Sequence, residues 1–181
     1  MTLTDIQKKT FLKIARSAVE SRALGRRTAD IDTKTVCDIS GCGAFVSLHK
    51  NNGGLRGCIG TFTSDKPLYL TVEEMAVSAS SRDPRFVPVA PHELKQVNIE
   101  ISVLSPLREV KDVSEIVVGR HGIYIVKGRS RGVLLPQVAT EYGFDRDTFL
   151  DETCVKAGLS RGSWRENATI MIFEAEIFKE G

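Results

Sequence analysis

An arginine and a cysteine stand two residues apart, between glycines, in the segment 51–62, whose sequence is NNGGLRGCIGTF. The segment is typical of the second strand of a β-hairpin. A strand has a period of two, so Arg56 and Cys58 should share one face unless Gly57 introduces a bulge. A guanidinium beside a thiol favours the nucleophilic thiolate, and Gly57 and Gly60 would let a ligand or another backbone come close. The segment therefore predicts thiol chemistry or ligand binding. The alternative is a small buried cysteine with Arg56 in a salt bridge that holds two lobes together.

A histidine supplies the second candidate catalytic group. His121 stands between glycines in a predicted turn before an apolar strand. It titrates near neutrality and would act as base or acid, so Cys58 and His121 together would make a nucleophile with its base. The alternative is a turn histidine whose ring bonds to backbone. His49 and His92 have no such context and are expected at the surface.

Charged residues around Pro84 form a candidate ligand clamp. Arg82 and Arg85, together with Arg56, could hold a carboxylate or phosphate through paired donors. The alternative is an ordered turn in which Asp83 bonds backbone amides and the arginines lie on the surface.

Glu100 faces away from the apolar side of its predicted strand. It is expected as a cleft carboxylate paired with an arginine, or else as a solvated strand residue.

The composition is typical of one soluble globular domain, which would cover residues 1–181 and can include two lobes. The net charge of +2 gives no general attraction to nucleic acid or to an anionic membrane. No run reaches the ~20 apolar residues of a membrane span, and the first six residues do not resemble a signal peptide, so a cytoplasmic location is expected. The cysteines lack C-x-x-C spacing and the histidines are scattered, so no metal site is expected. Cys37 and Cys42 could pair only under oxidation. Cys154 shares its predicted helical face with Leu150 and Ala157, so it is expected to pack in the core.

Hydrophobic periodicity predicts helices and strands in an order typical of an α+β fold. The N-terminal helix should be capped at Thr4 with Gln7 and should end near Gly25. The remaining elements are expected as strands 44–50 and 55–62, a helix from Pro67, strand 97–104, strands 123–126 and 133–135, helices 136–143 and 147–157, and a last strand at about 168–178. Hairpins dominate, which favours a mostly antiparallel sheet flanked by helices over a doubly wound fold.

Five segments, in order along the chain, resemble the sequence blocks of the AMMECR family. They are LRGCIGTF at 55–62, RDPRF at 82–86, VGRHGI at 118–123, LPQVA at 135–139, and KAGL at 156–159 followed by Trp164. The resemblance covers about 43–178. It implies a two-lobed α+β fold with a cleft between the lobes. The first of these segments, LRGCIGTF, is the signature of the family and is expected near that cleft.

The resemblance implies little about activity and names no cofactor, because the biochemical function of the family is not established. It implies Memo-like partners, which resemble extradiol dioxygenases, and radical-SAM partners.

Three function hypotheses follow. The first is an enzyme or enzyme component that binds a small anionic ligand around Arg56, Cys58 and His121. The second is an interaction module for those partners. The third, a nucleic-acid-associated regulator relying on Lys127, Arg129 and Arg131, is the least favoured because no aromatic platform accompanies the basic residues.

Overall fold

The computed structural model describes residues 2–181 and shows an α+β fold with antiparallel strand pairing, as the sequence predicts. The chain forms two compact units. The first unit comprises residues 2–104 and Glu176–Gly181, and the second comprises Ser105–Ala175. Each unit has a hydrophobic core of its own.

The first unit consists of two helices, three strands and the end of a fourth strand. They are α1 (Asp5–Leu24), β1 (Gly43–Lys50), β2 (Leu55–Thr61), α2 (Leu68–Ser81), β3 (Val97–Leu104) and the last residues of β7 (Thr169–Lys179). The predicted capping box is confirmed: Thr4 Oγ1 accepts from Gln7 N, and Gln7 Oε1 accepts from Thr4 N. Gly25 ends α1 in the left-handed conformation that glycine adopts without strain.

The sheet of the first unit has one apolar face and one polar face. β1 lies between β2 and β3 and pairs antiparallel with both. Alternate side chains such as Val46, Leu48, Ile99 and Ile101 are fully buried in the core with α1 and α2. The residues between them along the strands form the other face, which we call the polar face, and most of them are only half-buried. This alternation is the period-two signal on which the strand predictions depend.

The second unit contains the remaining elements. They are β4 (Arg108–Glu109), β5 (His121–Lys127), β6 (Ser130–Leu134), α3 (Pro136–Glu141), α4 (Arg146–Lys156) and the first part of β7. β5 pairs with β6 on one side and β7 on the other, and β4 pairs with β7. The core of this unit includes Phe149, Leu150 and Cys154, so the sequence interpretation of Cys154 as a packing residue is confirmed.

Three details differ from the sequence prediction. β5 and β6 begin two and three residues earlier than predicted, at His121 and Ser130. β4 is missing from it, because a two-residue strand has no periodicity to detect. The second helix begins at Leu68, with Pro67 as the residue before its first turn. Within residues 2–181, no helix is both long enough and apolar enough to cross a bilayer.

Candidate functional site

The glycine-flanked signature forms β2, the edge strand of the first unit's sheet. Its register with β1 shifts once: Leu48 lies opposite Gly57, but His49 lies opposite Leu55. Arg56 is therefore the extra residue of a β-bulge, one position before the glycine at which the sequence suggested one. A bulge turns its residue away from the regular alternation, and it separates the surroundings of Arg56 from those of Cys58.

Arg56 is a buried anchor for the loop that leads from α2 to β3. Only 5% of the residue is exposed. Its Nε and one terminal nitrogen donate to the two carboxylate oxygens of Glu93 at 2.8 and 2.9 Å. The other terminal nitrogen donates to the Val87 carbonyl at 2.9 Å. Arg56 therefore pairs with a carboxylate and not with the Cys58 thiol. This ion pair agrees with the salt-bridge alternative, except that both of its members belong to the first unit.

The Arg56–Glu93 pair shifts the pKa of both groups. Hydrogen bonds from Arg56 are the main cause that lowers the pKa of Glu93 to about 2, helped by the amide of Ala90. The same hydrogen bonds raise the pKa of Arg56 above its usual value. Both groups stay charged at neutral pH, and the guanidinium is occupied by its carboxylate partner.

A second carboxylate–guanidinium pair holds the backbone of Cys58. Asp83 is 3% exposed, and its Oδ2 accepts the Cys58 amide at 2.8 Å and an Arg85 terminal nitrogen at 2.7 Å. The same Arg85 nitrogen donates to the Cys58 carbonyl at 3.2 Å. These hydrogen bonds hold the pKa of Asp83 well below its usual range, with the bond from Arg85 as the largest cause. Both peptide groups of Cys58 are thus bound on the outer edge of the sheet, where an edge strand normally leaves them open.

The Cys58 side chain lies in a polar row that crosses three strands. Ser47 of β1 is directly opposite Cys58, and its Oγ lies 3.1 Å from Sγ. Glu100 of β3 is directly opposite Ser47 on the other side. Directly opposite residues of an antiparallel pair point to the same face, so Cys58, Ser47 and Glu100 are consecutive on the polar face. Cys58 is half-buried.

The two signature glycines are explained by close packing. A Cβ on Gly57 would lie 2.2 Å from the Ala79 carbonyl oxygen, so its absence lets α2 rest directly on β2. A Cβ on Gly60 would lie 2.2 Å from the ring of Phe45. Of the two roles that the sequence left open for these glycines, close approach of other protein groups accounts for both, and their role in ligand binding stays a prediction.

His49 is the residue that sequence reasoning missed. It lies two positions after Ser47 on the same strand, and its side chain is 33% exposed rather than fully at the surface as expected. Its Nε2 is 3.9 Å from Glu100 Oε1, and Nε2 is buried with no hydrogen-bond partner among the described residues. The ionisable side chain found beside Glu100 is therefore a histidine and not an arginine, and no hydrogen bond joins the two. The signal was present, because the period of two from Ser47 places His49 on the polar face.

His121 lies in the second unit, at the start of β5, and is 8% exposed. Its Nδ1 accepts the Val117 amide at 3.1 Å, so the ring bonds to backbone as in the alternative, but from a strand and not from the predicted turn. Nε2 lies 3.9 Å from Glu174, whose carboxylate also binds Arg120 at 2.7 Å. Burial, followed by the charge of Arg120, lowers the pKa of His121. Cys58 and His121 belong to different units, and their pairing stays a prediction.

Comparison with known proteins places this arrangement in a family. A family model described as AMMECR1 matches residues 12–178. The chain belongs to the AMMECR1 family. A protein of Methanosarcina acetivorans is 39% identical, covering 98% of this chain and 94% of its own length. A protein of Methanothermobacter thermautotrophicus is 42% identical, covering 95% and 93% respectively.

A solved structure extends the AMMECR1 likeness to the fold. The crystal structure of the uncharacterised protein PH0010 from Pyrococcus horikoshii superposes with a TM-score of 0.83 at 34% identity. The match covers 98% of this chain and 93% of that protein. The α+β architecture inferred from the family resemblance is confirmed.

The AMMECR1 signature therefore holds Cys58 in a fixed position. The other predicted site residues lie at different distances from it. Asp83 and Arg85 contact Cys58 directly, Glu100 lies two strands away, and Arg56 is committed to Glu93. Arg82 follows α2 with its side chain exposed. Among residues 2–181, no three His, Cys, Asp or Glu side chains are grouped as a metal ion would require.

Proposed function

We propose that this AMMECR1-family protein is a cytosolic enzyme or enzyme component that binds a small anionic ligand beside Cys58 and uses the thiol as a nucleophile or redox group. The observation that carries the proposal is the double clamp on the Cys58 backbone by Asp83 and Arg85. The carboxylate of Asp83 is almost fully buried, and it fixes the backbone of Cys58, whose thiol is half-buried. A cysteine that only filled space in an edge strand would not need these hydrogen bonds. Fixed geometry is what a reacting group requires.

The anionic character of the ligand is supported by the arginines of the α2–β3 loop. The Arg85 side chain remains 56% exposed although it is paired with Asp83. Arg82, three residues before it, is exposed as well. The charge of Arg82 lies at the start of the loop that binds the β2 edge at Cys58, whereas the charges of Arg56 and Arg85 are balanced by Glu93 and Asp83.

The test compares the alkylation of Cys58 by neutral iodoacetamide and by anionic iodoacetate, with each cysteine mapped by mass spectrometry between pH 5 and pH 9. Cys37 is exposed and is the internal reference, and Cys42 and Cys154 are buried. We expect Cys58 to react faster than Cys37 below pH 7, and iodoacetate to be favoured at Cys58 relative to Cys37. Replacing Arg82 with Gln should reduce that preference without unfolding the protein.

Two outcomes would contradict the proposal, one for the thiol and one for the anionic ligand. Labelling of Cys58 only after unfolding would eliminate thiol chemistry. Equal preference for the two reagents at Cys58 and Cys37 would eliminate the anionic ligand and leave the reactive thiol in place.

A second candidate function, a docking module for Memo-like or radical-SAM proteins, is favoured by one observation. Val87 is 76% exposed, yet its carbonyl is held by the buried Arg56. A rigidly presented apolar side chain suits a protein contact. Co-purification of co-expressed Memo-like and radical-SAM proteins should be lost in Val87→Asp and kept in Val117→Asp, a control at another exposed valine. Retention by both variants would rule out docking through Val87.

A further inference from the structure

A pocket of about 570 Å³ opens at the end of the polar face in the first unit. Its wall includes His49 of β1 and the β3 residues Asn98 and Glu100. Asn98 lies directly opposite His49 in the strand register, so the three side chains share the polar face. We call this the His49–Glu100 pocket.

Some polar groups of the His49–Glu100 pocket have no partner among residues 2–181. His49 Nε2 has no hydrogen-bond partner in the described part of the chain. Its 3.9 Å separation from Glu100 Oε1 is too long for a hydrogen bond between the two. The amide nitrogen of Asn98 donates to Asn51 Oδ1 at 3.2 Å, which orients the amide, and among residues 2–181 no group donates to the amide oxygen of Asn98.

The cations nearest this pocket are not paired with its carboxylate. Lys50 and Lys179 also line the pocket, and both are exposed. Among residues 2–181, neither lysine forms an ion pair with Glu100. The pocket thus combines the negative charge of Glu100 with an imidazole nitrogen of His49 and an amide oxygen of Asn98, both without a partner among residues 2–181.

We infer that the His49–Glu100 pocket binds a primary ammonium group of a small ligand. An ammonium carries three N–H donors and one positive charge, which match the Glu100 carboxylate, the His49 imidazole nitrogen and the Asn98 amide oxygen. The link to Cys58 rests on the proposed function: Glu100 stands two strands from Cys58, roughly 9–10 Å away. The ligand that reacts at Cys58 would then be a small amine whose acidic or electrophilic part lies roughly 9–10 Å from its ammonium group.

The direct test follows the three histidine rings by NMR at pH 8, in protein labelled with ¹⁵N-histidine, while n-butylammonium chloride is added. His49→Gln assigns the His49 signal, and His92 and His121 are internal references outside the pocket. We expect a saturable shift at His49 alone. Binding should weaken about tenfold in Glu100→Gln. It should be unchanged in Glu74→Gln, which removes an exposed carboxylate of the same unit that pairs with Lys66.

The inference would be overturned by no shift at His49, by an equal shift with neutral 1-butanol, or by an unchanged affinity for butylammonium in Glu100→Gln. A His49 signal that ignores butylammonium but moves in Lys179→Gln would show that the protein's own lysine occupies the pocket, which also overturns it.

A thiol-exchange experiment separates this inference from the proposed function. Cystamine and 2-hydroxyethyl disulfide leave an ammonium or a hydroxyl on Cys58 at similar length, and Cys37 serves as the reference. We expect cystamine to be favoured at Cys58 in the natural protein and not in Glu100→Gln. Butylammonium binding with an unreactive Cys58 would sustain the pocket and overturn thiol chemistry. A reactive Cys58 without butylammonium binding would sustain thiol chemistry and overturn the ammonium pocket.

Discussion

At the scale of single residues, two carboxylate–guanidinium pairs, each with one fully buried member, organise the signature. Glu93 neutralises Arg56 and aligns it with loop carbonyls, while Asp83 with Arg85 holds the Cys58 backbone. Such pairs contribute more to position than to net stability, because desolvation of the charges offsets much of their attraction. Removal of Glu93 or Arg85 is costly, since it leaves the buried Arg56 or the buried Asp83 without its partner.

The first prediction concerns the coupling between Arg56 and Glu93. Arg56→Gln and Glu93→Gln should each lower the free energy of unfolding by about 3 kcal/mol, because each leaves one buried group without its partner. The double variant should lose about 2 kcal/mol less than the sum of the single losses. Urea denaturation of the four proteins measures this coupling. Lys66→Gln, which breaks the exposed pair with Glu74, is the control and should leave the urea midpoint unchanged. Strictly additive losses would contradict the coupling.

The second prediction concerns acid stability. The pKa of Glu93 falls from 4.5 to about 2 on folding, so its contribution to stability is complete above pH 4.5 and is lost as pH falls toward 2. This contribution is about 2 kcal/mol after allowance for partial exposure. The free energy of unfolding of Glu93→Gln, measured from pH 6 to pH 2.5, should fall less steeply than that of the natural protein. Parallel curves would show that Glu93 is not the group responsible.

At the scale of elements, β2 is shaped by what lies against it. The α2 backbone rests on Gly57, the loop after α2 covers the outer edge at Cys58, and β1 supplies Ser47. The second unit repeats the first of these arrangements: a Cβ on Gly132 in β6 would lie 2.5 Å from the Thr153 carbonyl oxygen of α4. In both units a glycine in a strand lets a helix backbone approach closely.

The third prediction tests this contact. Gly57→Ala should destabilise the protein by about 2–3 kcal/mol, because the new methyl group meets the rigid Ala79 carbonyl. Gly54→Ala in the same hairpin is the matched control. Its Cβ would lie 3.2 Å from the Asn52 side-chain oxygen, which can move, so a change within about 0.5 kcal/mol is expected. Thermal and urea unfolding measure both variants, and equal losses would show that helix contact is not the reason for Gly57.

At the scale of the whole molecule, the chain builds two units with separate cores. The core of the first unit draws only on its own residues, including Phe178 from the end of β7, and the core of the second draws only on 110–172. The second unit is inserted between Leu104 and Glu176. Its two ends are adjacent, since Ser105 N donates to the Glu174 carbonyl at 2.9 Å.

The fourth prediction follows from that insertion. A chain in which Leu104 is joined to Glu176 through an Asn-Gly turn should fold on its own, because the ends need only a hairpin turn and the core is complete. A cooperative thermal transition and a dispersed ¹H–¹⁵N spectrum would confirm it. A matched deletion that also removes Glu176–Gly181 should fold poorly, because Arg16 and the Ile99 amide would lose Glu180. A collapsed, non-cooperative product from the first deletion would contradict the prediction.

The local features of this protein could be predicted from the sequence because they depend on neighbours in the chain. The capping box of α1, the strands of both units and the burial of Cys154 follow from spacing and periodicity. The family could be inferred from five short segments, and the family model and the solved relative confirm it and the α+β fold.

Only the tertiary structure decided which side chains meet. Arg56 reaches Glu93, 37 residues away, and the bulge that redirects it depends on the register with β1. Ser47, His49 and Glu100 join Cys58 on one face only when three strands align in register. Spacing along the chain determines which face of an element a side chain occupies. Partners across strands and loops are set by packing and by the pairing of buried charges, which no local pattern encodes.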